Sequence, residues 1–458
     1  MAILVWAPLP FASNRIWGGA LLALLVSLVL AGWLALCAAG RVQLNPATWR
    51  RARLPLVILV LIQVWVLLQI QHLPRPVVEL LSPLAAAWHI EEGWLSLSLD
   101  REHTRFYLLR GCTFTAGFFL TIALVNTHDR VKGLLGVLVF SGTFQAAYGA
   151  FMVLSGLELG FFVEKYVGQG VATGTFVNRN HLAGYLVMCL AAGIGLLLSQ
   201  LATEGAHNWK ERVRRWLELL LSSKIRLRIY LAIMVVALVL TRSRMGNIAF
   251  FAALALAGAI ALYSGRRFSY RVVAFLASLF VVDMLILGKW FGFDKLLARL
   301  EQTNPGQESR VWSNEYTLDY IREFPLTGSG GGSFYGIFPN FQAPNLPGFH
   351  LHAHNDYLEF AAELGLPATA ALMVFVGLAL YSAYLVQRRG CAALCRGAGF
   401  AVTMTILWAA IHSTADFNLQ IPANALTFVT ILALAFIARG LSPSQGYTVG
   451  VTSEAKPL

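Results

Sequence analysis

Apolar residues in this chain come in long unbroken runs, separated by short polar intervals. A helix spanning a bilayer needs about 20 mostly apolar residues. Eleven runs meet that requirement or nearly so: 16–37, 54–72, 106–126, 132–155, 181–199, 227–243, 246–264, 271–289, 357–386, 398–416 and 419–438. Met1 to Ala12 is apolar but too short to span, and reads as the end of a lost first helix or a re-entrant one. The pattern predicts an all-α polytopic membrane protein with 11–12 transmembrane helices. The longest polar interval, 289–355, is expected as one large loop containing short helices.

Composition agrees. The hydrophobic fraction is 57%, only 13% of residues are charged, and mean hydropathy is +0.64. Soluble domains carry about 25% charged residues, so residues 1–458 read as a single membrane domain. The net charge of +12 invites a nucleic-acid partner, but the basic residues sit in short loops between apolar runs, which speaks against one. Alternate loops carry 21 and 10 Lys and Arg residues. The richer set is cytoplasmic by the positive-inside rule, which places the 73–105, 156–180 and 289–355 loops outside. The 200–226 stretch, with Trp209-Lys-Glu-Arg-Val-Arg-Arg-Trp-Leu, reads as a basic amphipathic segment on the inner surface. None of the five cysteines lies in the large loop, so no disulfide framework is implied.

Several polar residues interrupt this apolar pattern. The sixth run enters from Lys224 and Arg226 and reaches Thr241-Arg242-Ser243-Arg244 about 15 residues later. That length covers roughly 23 Å, short of the ~30 Å hydrocarbon core, so Arg244 falls below the outer interface. A charge there normally lines a cavity or pairs; snorkelling to the interface is the plain alternative for Arg242 and Arg244. Arg110, four residues into the third run, is placed to snorkel.

Thr173-Gly-Thr-Phe-Val-Asn178-Arg179-Asn180-His181 opens the fifth run. Asn180 is expected to cap that helix, and Arg179 and His181 to meet a polar headgroup at its start. Residues 308–325 place Val311, Trp312, Tyr316 and Tyr320 at helical spacing before Pro325, predicting an external amphipathic helix. Arg310, at its start, either binds an anion or forms a rim salt bridge with Glu308 or Asp319. Thr327-Gly-Ser-Gly-Gly-Gly-Ser333 gives backbone freedom for close approach to another segment.

The large loop ends in His350-Leu-His352-Ala-His354-Asn355-Asp356. The i, i+2, i+4 spacing of the histidines suits a metal site on a strand, but no acidic cluster precedes it. The alternative is a single histidine as general base near neutral pH, oriented by Asp356 or Glu359. A pure capping role for His354 is weakened by Asn355 and Asp356, which cap better.

These residues resemble the O-antigen ligase and O-antigen polymerase family of bacterial inner membranes. His354-Asn355, nine residues and Gly365 match the ligase pattern, with a departure at Ala368. Ser243-Arg244 with Ile248 four positions on, Gly174 to His181, and Arg310-x-Trp312 before Pro325-Leu-x-Gly-x-Gly330 also resemble it. The likeness extends over roughly residues 170–420.

The resemblance implies a glycosyltransferase with the active site facing the periplasm and no cofactor or metal. A glycan would pass from undecaprenyl diphosphate to an acceptor hydroxyl on lipid A-core or on a second lipid-linked glycan. Arg244, assisted by Arg310, would neutralise the leaving diphosphate, and His354 would be the base. Arg242, Arg179, Asn180, His181, His352, Asn355 and Asp356 would contact substrate, and the glycine-rich stretch would let the loop close over it. A lipid-linked glycan transporter or flippase is the competing class. It predicts polar residues through the membrane core and symmetric halves. A channel would need a polar pore-lining stripe.

Overall fold

Two hydrophobic cores form, one inside a helical bundle and one in a cap over one end of it. The computed structural model describes residues 1–89, 93–201, 223–264, 309–388 and 391–441. The expected eighth run (271–289), most of the basic 200–226 stretch and the first part of the 289–355 loop lie outside the described residues.

The helices are α1 (Ala2–Trp6), α2 (Ile16–Ala38), α3 (Pro46–Ile70), α4 (Arg75–Leu81), α5 (Pro83–Trp88), α6 (Arg101–Leu124), α7 (His128–Ser155), α8 (Arg179–Leu201), α9 (Ser223–Leu240) and α10 (Arg244–Ser264). After them come α11 (Ser309–Glu323), α12 (Phe334–Ile337), α13 (Asp356–Leu364), α14 (Leu366–Arg388), α15 (Ala393–His412) and α16 (Pro422–Leu441). Two short antiparallel strand pairs are also present, β1 (Leu73–Pro74) with β2 (Trp94–Leu95) and β3 (Leu159–Gly160) with β4 (Val163–Glu164), along with 3-10 turns at Phe11–Ser13, Phe338–Asn340 and Asn418–Gln420.

Among the described residues, nine helices are long and apolar enough to cross a membrane: α2, α3, α6, α7, α8, α10, α14, α15 and α16. The chain is thus an all-α multi-pass membrane protein. α9 carries Lys224, Arg226 and Arg228 in its first turns and packs beside α7 and α8. The helix starts follow ordinary capping chemistry. Asn45 accepts from the amides of Ala47 and Thr48 with Pro46 at the first position, Asp100 caps α6 and Thr127 caps α7.

α8 is the most enclosed span and packs along α15. A side chain at either Gly195 or Gly397 would strike the other's carbonyl. Small residues let two membrane helices approach this closely. α1 does not span. The turn after it, with Phe11, Ala12 and Ser13 in the left-handed region, tucks against the 172–176 segment, where Thr175 donates to the Pro8 carbonyl.

The second core joins two loops far apart in sequence. Val78, Ala85, Leu95 and Leu97 pack with Tyr320, Phe324, Phe334, Phe338 and Ala362. Charge counting put the 73–105 and 289–355 loops on one face, and here they share one core. α11 forms where helical spacing predicted it, although its buried face is Ser313, Thr317 and Tyr320, with Val311 exposed.

The apolar run at 357–386 is not one helix. It breaks at Gly365, whose φ of +82° ends α13, and restarts as α14 with Pro367 in its first turn. α13 belongs to the cap. The glycine-rich stretch, expected to close over substrate, is hydrogen-bonded into the cap. Ser329 and Gly330 donate backbone hydrogen bonds to Ala362 and Glu363, and Leu99 donates to Ser329. Gln69 bonds Thr327 and Gly331 as well. A Cβ on Gly328 would lie 2.2 Å from the Glu363 carbonyl, and one on Gly365 would lie 2.2 Å from that of Leu326. The glycines allow close contact: Gly328 lies against the end of α13, and Gly330, Gly331 and Gly332 lie against Ser98, Tyr107 and His103.

Candidate active site

α13 starts where the cap meets the bundle, and its cap residue is Asn355, whose Oδ1 accepts from the amides of Tyr357 and Leu358. His354 just precedes it, with φ of +54°. A non-glycine residue in that region costs roughly 1–2 kcal/mol, and such strain is typical of a functional position. The bend directs Nδ1 of His354 to 3.9 Å from Oδ1 of Asp416.

Asp416 lies in the 413–421 loop between α15 and α16. It is almost fully buried. Nε2 of His181 faces the same oxygen at 3.7 Å, Asn180 donates to Oδ2, and the Phe417 amide donates to Oδ1. Burial pushes this carboxyl up. The imidazoles of His181 and His354, with His412 close by, outweigh that and hold it below the usual carboxylate range. The Phe417 ring organises the same cluster. His352 stacks on it with ring centroids 3.9 Å apart, and His354 and His181 meet it edge-on.

The three clustered histidines therefore have separate surroundings. His352 pairs with Glu359 at 2.6 Å. His350 packs against Phe338, where burial and the neighbouring His354 lower its pKa. The 350–354 segment is not a strand. Among the described residues no group of three His, Cys, Asp or Glu is arranged to hold a metal ion.

Asp356 faces away from the cluster. Its Oδ2 accepts from Ser413 and the Leu419 amide, and burial raises its pKa well above the ordinary range, helped by Glu359 and Asp416.

The expectation that Asn180 caps α8 is corrected. Asn178 does this, its Oδ1 accepting from the Asn180 amide and its carbonyl from His181 and Leu182. Asn180 is thereby free to hold Asp416.

Ser243 caps α10 by accepting from the Gly246 amide, which leaves Arg244 as the first helical residue, exposed. A Cβ on Gly246 would sit 2.8 Å from Cβ of Ala183, so the first turn of α10 lies against the first turn of α8, near His181. A cation at a helix start opposes the macrodipole unless an anion joins it. Arg242 is exposed with φ of +50°, and Arg179 is exposed at the start of α8. Arg310 lies close enough to His412 for its charge to act there. Its expected partner Asp319 pairs with Arg322 instead, and Glu308 lies outside the described residues. Among the described residues, Arg179, Arg242, Arg244 and Arg310 show no hydrogen bond or ion pair.

Sequence reasoning missed Asp416, Phe417 and His412. The only signal was the polar interruption Ser413-Thr-Ala-Asp416-Phe-Asn418 between two apolar runs.

These features define a multi-pass membrane protein with its ionisable chemistry gathered at one end of the bundle. Residues 229–373 match the family model described as O-antigen ligase. The match supports the O-antigen ligase and polymerase family, and with it a membrane enzyme of that type. It includes Arg242, Arg244, Arg310, His352 and His354, while Arg179, Asn180, His181 and Asp416 fall outside it. No curated protein matches the chain.

Proposed function

We propose that the protein transfers a glycan from undecaprenyl diphosphate to an acceptor hydroxyl at the periplasmic face of the inner membrane. The observation that carries this reading is His354, strained and aimed at a buried carboxylate, with the Arg310 charge acting on the neighbouring His412.

The Asp416 carboxylate favours the proton on Nδ1 of His354, leaving Nε2 as the base. The acceptor hydroxyl gives its proton to Nε2 as its oxygen bonds the anomeric carbon. The bond from that carbon to the diphosphate breaks, and the lipid diphosphate departs with the electron pair. One displacement inverts the anomeric centre. Arg244, at the start of α10, and Arg310 neutralise the developing diphosphate charge bidentately, which needs no metal. Arg242 and Arg179 extend the basic rim toward the headgroup, and His352 and His181 border the reacting sugar.

The acceptor is either lipid A-core or a second lipid-linked glycan. Purified protein is given an undecaprenyl-diphosphate oligosaccharide and each acceptor in turn, with chelator present. Undecaprenyl diphosphate release is expected. Both His354→Ala and Arg244→Ala should abolish it while the protein stays folded. Wild-type release by either variant removes that residue from the mechanism. Sugar moved to a second lipid-linked glycan means polymerase, and sugar moved only to lipid A-core means ligase. No release with either acceptor refutes the reading.

A further inference from the structure

The loop that follows α7 folds with its charges inside and its aromatic residues outside. β3 and β4 pair with Leu159 opposite Glu164 and Gly160 opposite Val163, so Phe161 and Phe162 are the two turn residues. Both have left-handed φ, +45° and +65°, as in the type I′ turn that Asn-Gly adopts easily. For bulky aromatic residues the same geometry is strained, and such strain persists where a position has a use. Lys165 donates to Glu158 at 2.8 Å and to the Val171 carbonyl, its side chain only 5% exposed. The Gly170 amide donates to the other Glu158 oxygen. The apolar side chains face outward: Phe162 is 85% exposed, Tyr166 80% and Val167 65%. Tyr148 of α7 donates to the Leu159 carbonyl and Phe161 packs edge-on to Phe11, so the hairpin is mounted firmly on the bundle.

The patch continues a surface that already meets lipid. Phe140, Phe144, Phe151 and Leu154 are exposed at helical spacing on α7, a helix long and apolar enough to cross a membrane. Leu157, Phe162 and Val163 extend this exposed apolar series past the helix end. About 20 residues of helix cross the ~30 Å hydrocarbon core. Counted from Lys132 in the charged start of α7, they end near Met152. The hairpin therefore begins at the boundary between acyl chains and headgroups. It lies on the side of the bundle where Asn180 and His181, at the start of the next helix, meet Asp416. Glu164 sets the depth. It follows Val163 on the strand and so takes the opposite face. It is exposed, and a carboxylate belongs in the headgroup layer rather than among acyl chains.

We propose that the 157–167 hairpin is a membrane anchor, its aromatic tip of Phe162 and Tyr166 seated at the boundary of acyl chains and headgroups in the leaflet on the side of the candidate site. Bulk lipid occupies the patch, because the patch is continuous with the lipid-facing side of α7. The buried Lys165–Glu158 pair keeps the hairpin's charges out of that layer. The anchor holds at headgroup height the segment that follows, which carries Asn178, Arg179 and Asn180 to the site. Anchoring of this kind is independent of the reaction catalysed.

The test is site-directed spin labelling of the full chain in nanodiscs of phosphatidylethanolamine and phosphatidylglycerol. Cys37→Ser and Cys112→Ser remove the exposed cysteines, and Cys189, Cys391 and Cys395 are buried. A nitroxide is placed singly through Phe162→Cys or Tyr166→Cys, with Phe144→Cys as the lipid reference and Asp129→Cys as the water reference. At 162 and 166, collisions with oxygen, which partitions into lipid, should exceed collisions with a water-soluble nickel chelate, as at 144 and opposite to 129. Chelate collisions in excess at 162 overturn the proposal. Few collisions with either agent at 162 mean that protein, such as a second copy of the chain, covers the patch, and overturn it equally. Phe162→Gly relieves the left-handed strain and keeps the turn. The label at 166 should then shift toward water while the label at 144 stays as it was. An unchanged label at 166 rules the aromatic tip out as the anchor.

Discussion

Asp416→Asn tests the whole arrangement. The substitution keeps the shape and an acceptor for the Phe417 amide, removes the charge, and turns an NH2 toward Asn180, whose side-chain amide must flip to keep its hydrogen bond. In the proposed mechanism His354 takes the acceptor's proton and becomes an imidazolium 3.9 Å from the Asp416 carboxylate. Two unit charges at that distance interact by about 4 kcal/mol at the effective dielectric near a protein surface. The His354 side chain is 31% exposed, so solvent screening reduces this to about 2 kcal/mol. That corresponds to a roughly 30-fold slower chemical step. Single-turnover release of undecaprenyl diphosphate from pre-bound donor measures it without interference from product release. An Asp416→Asn enzyme with more than half of wild-type turnover refutes the orienting role.

Two further outcomes follow from the packing beneath this cluster. Gly365→Ala should destabilise the protein by more than about 2 kcal/mol, since the residue has φ of +82° and no room toward the Leu326 carbonyl; thermal unfolding in detergent reads this, and a midpoint within a degree of wild type contradicts the packing. Burial raises the pKa of Asp356 well above its ordinary range, so its own contribution to stability should fall as pH rises above about 4. Asp356→Asn should remove that contribution, so the two stability curves should diverge between pH 4 and 8, and parallel curves would rule the raised carboxyl out.

The spans were legible because a bilayer demands length and apolarity, which hydropathy reads directly. His354 and Arg244 were legible for the opposite reason, as polar residues where apolar ones are cheaper. What hydropathy hid was backbone geometry. The 357–386 run looks continuous because the bend at Gly365 is a matter of φ. The glycines of 327–333 suggested mobility, while the fold uses their missing side chains for contact. Asn178 and Asn180 are both good caps in isolation, and only the position of Asp416 decides between them. Asp416 itself vanished into a window average, one acid between two long apolar runs.

The contact between Gly328 and Gly365 also sets the boundaries of any chimera. The glycine-rich stretch and the helix that follows His354 touch backbone to backbone, with no side chains between them to absorb a mismatch. Grafting the loop of a relative at 327–333 alone would join two surfaces shaped for different partners. A transplant running unbroken from α11 through Gly365 carries both halves of the contact, and this is the smallest unit that can be exchanged between relatives without breaking it.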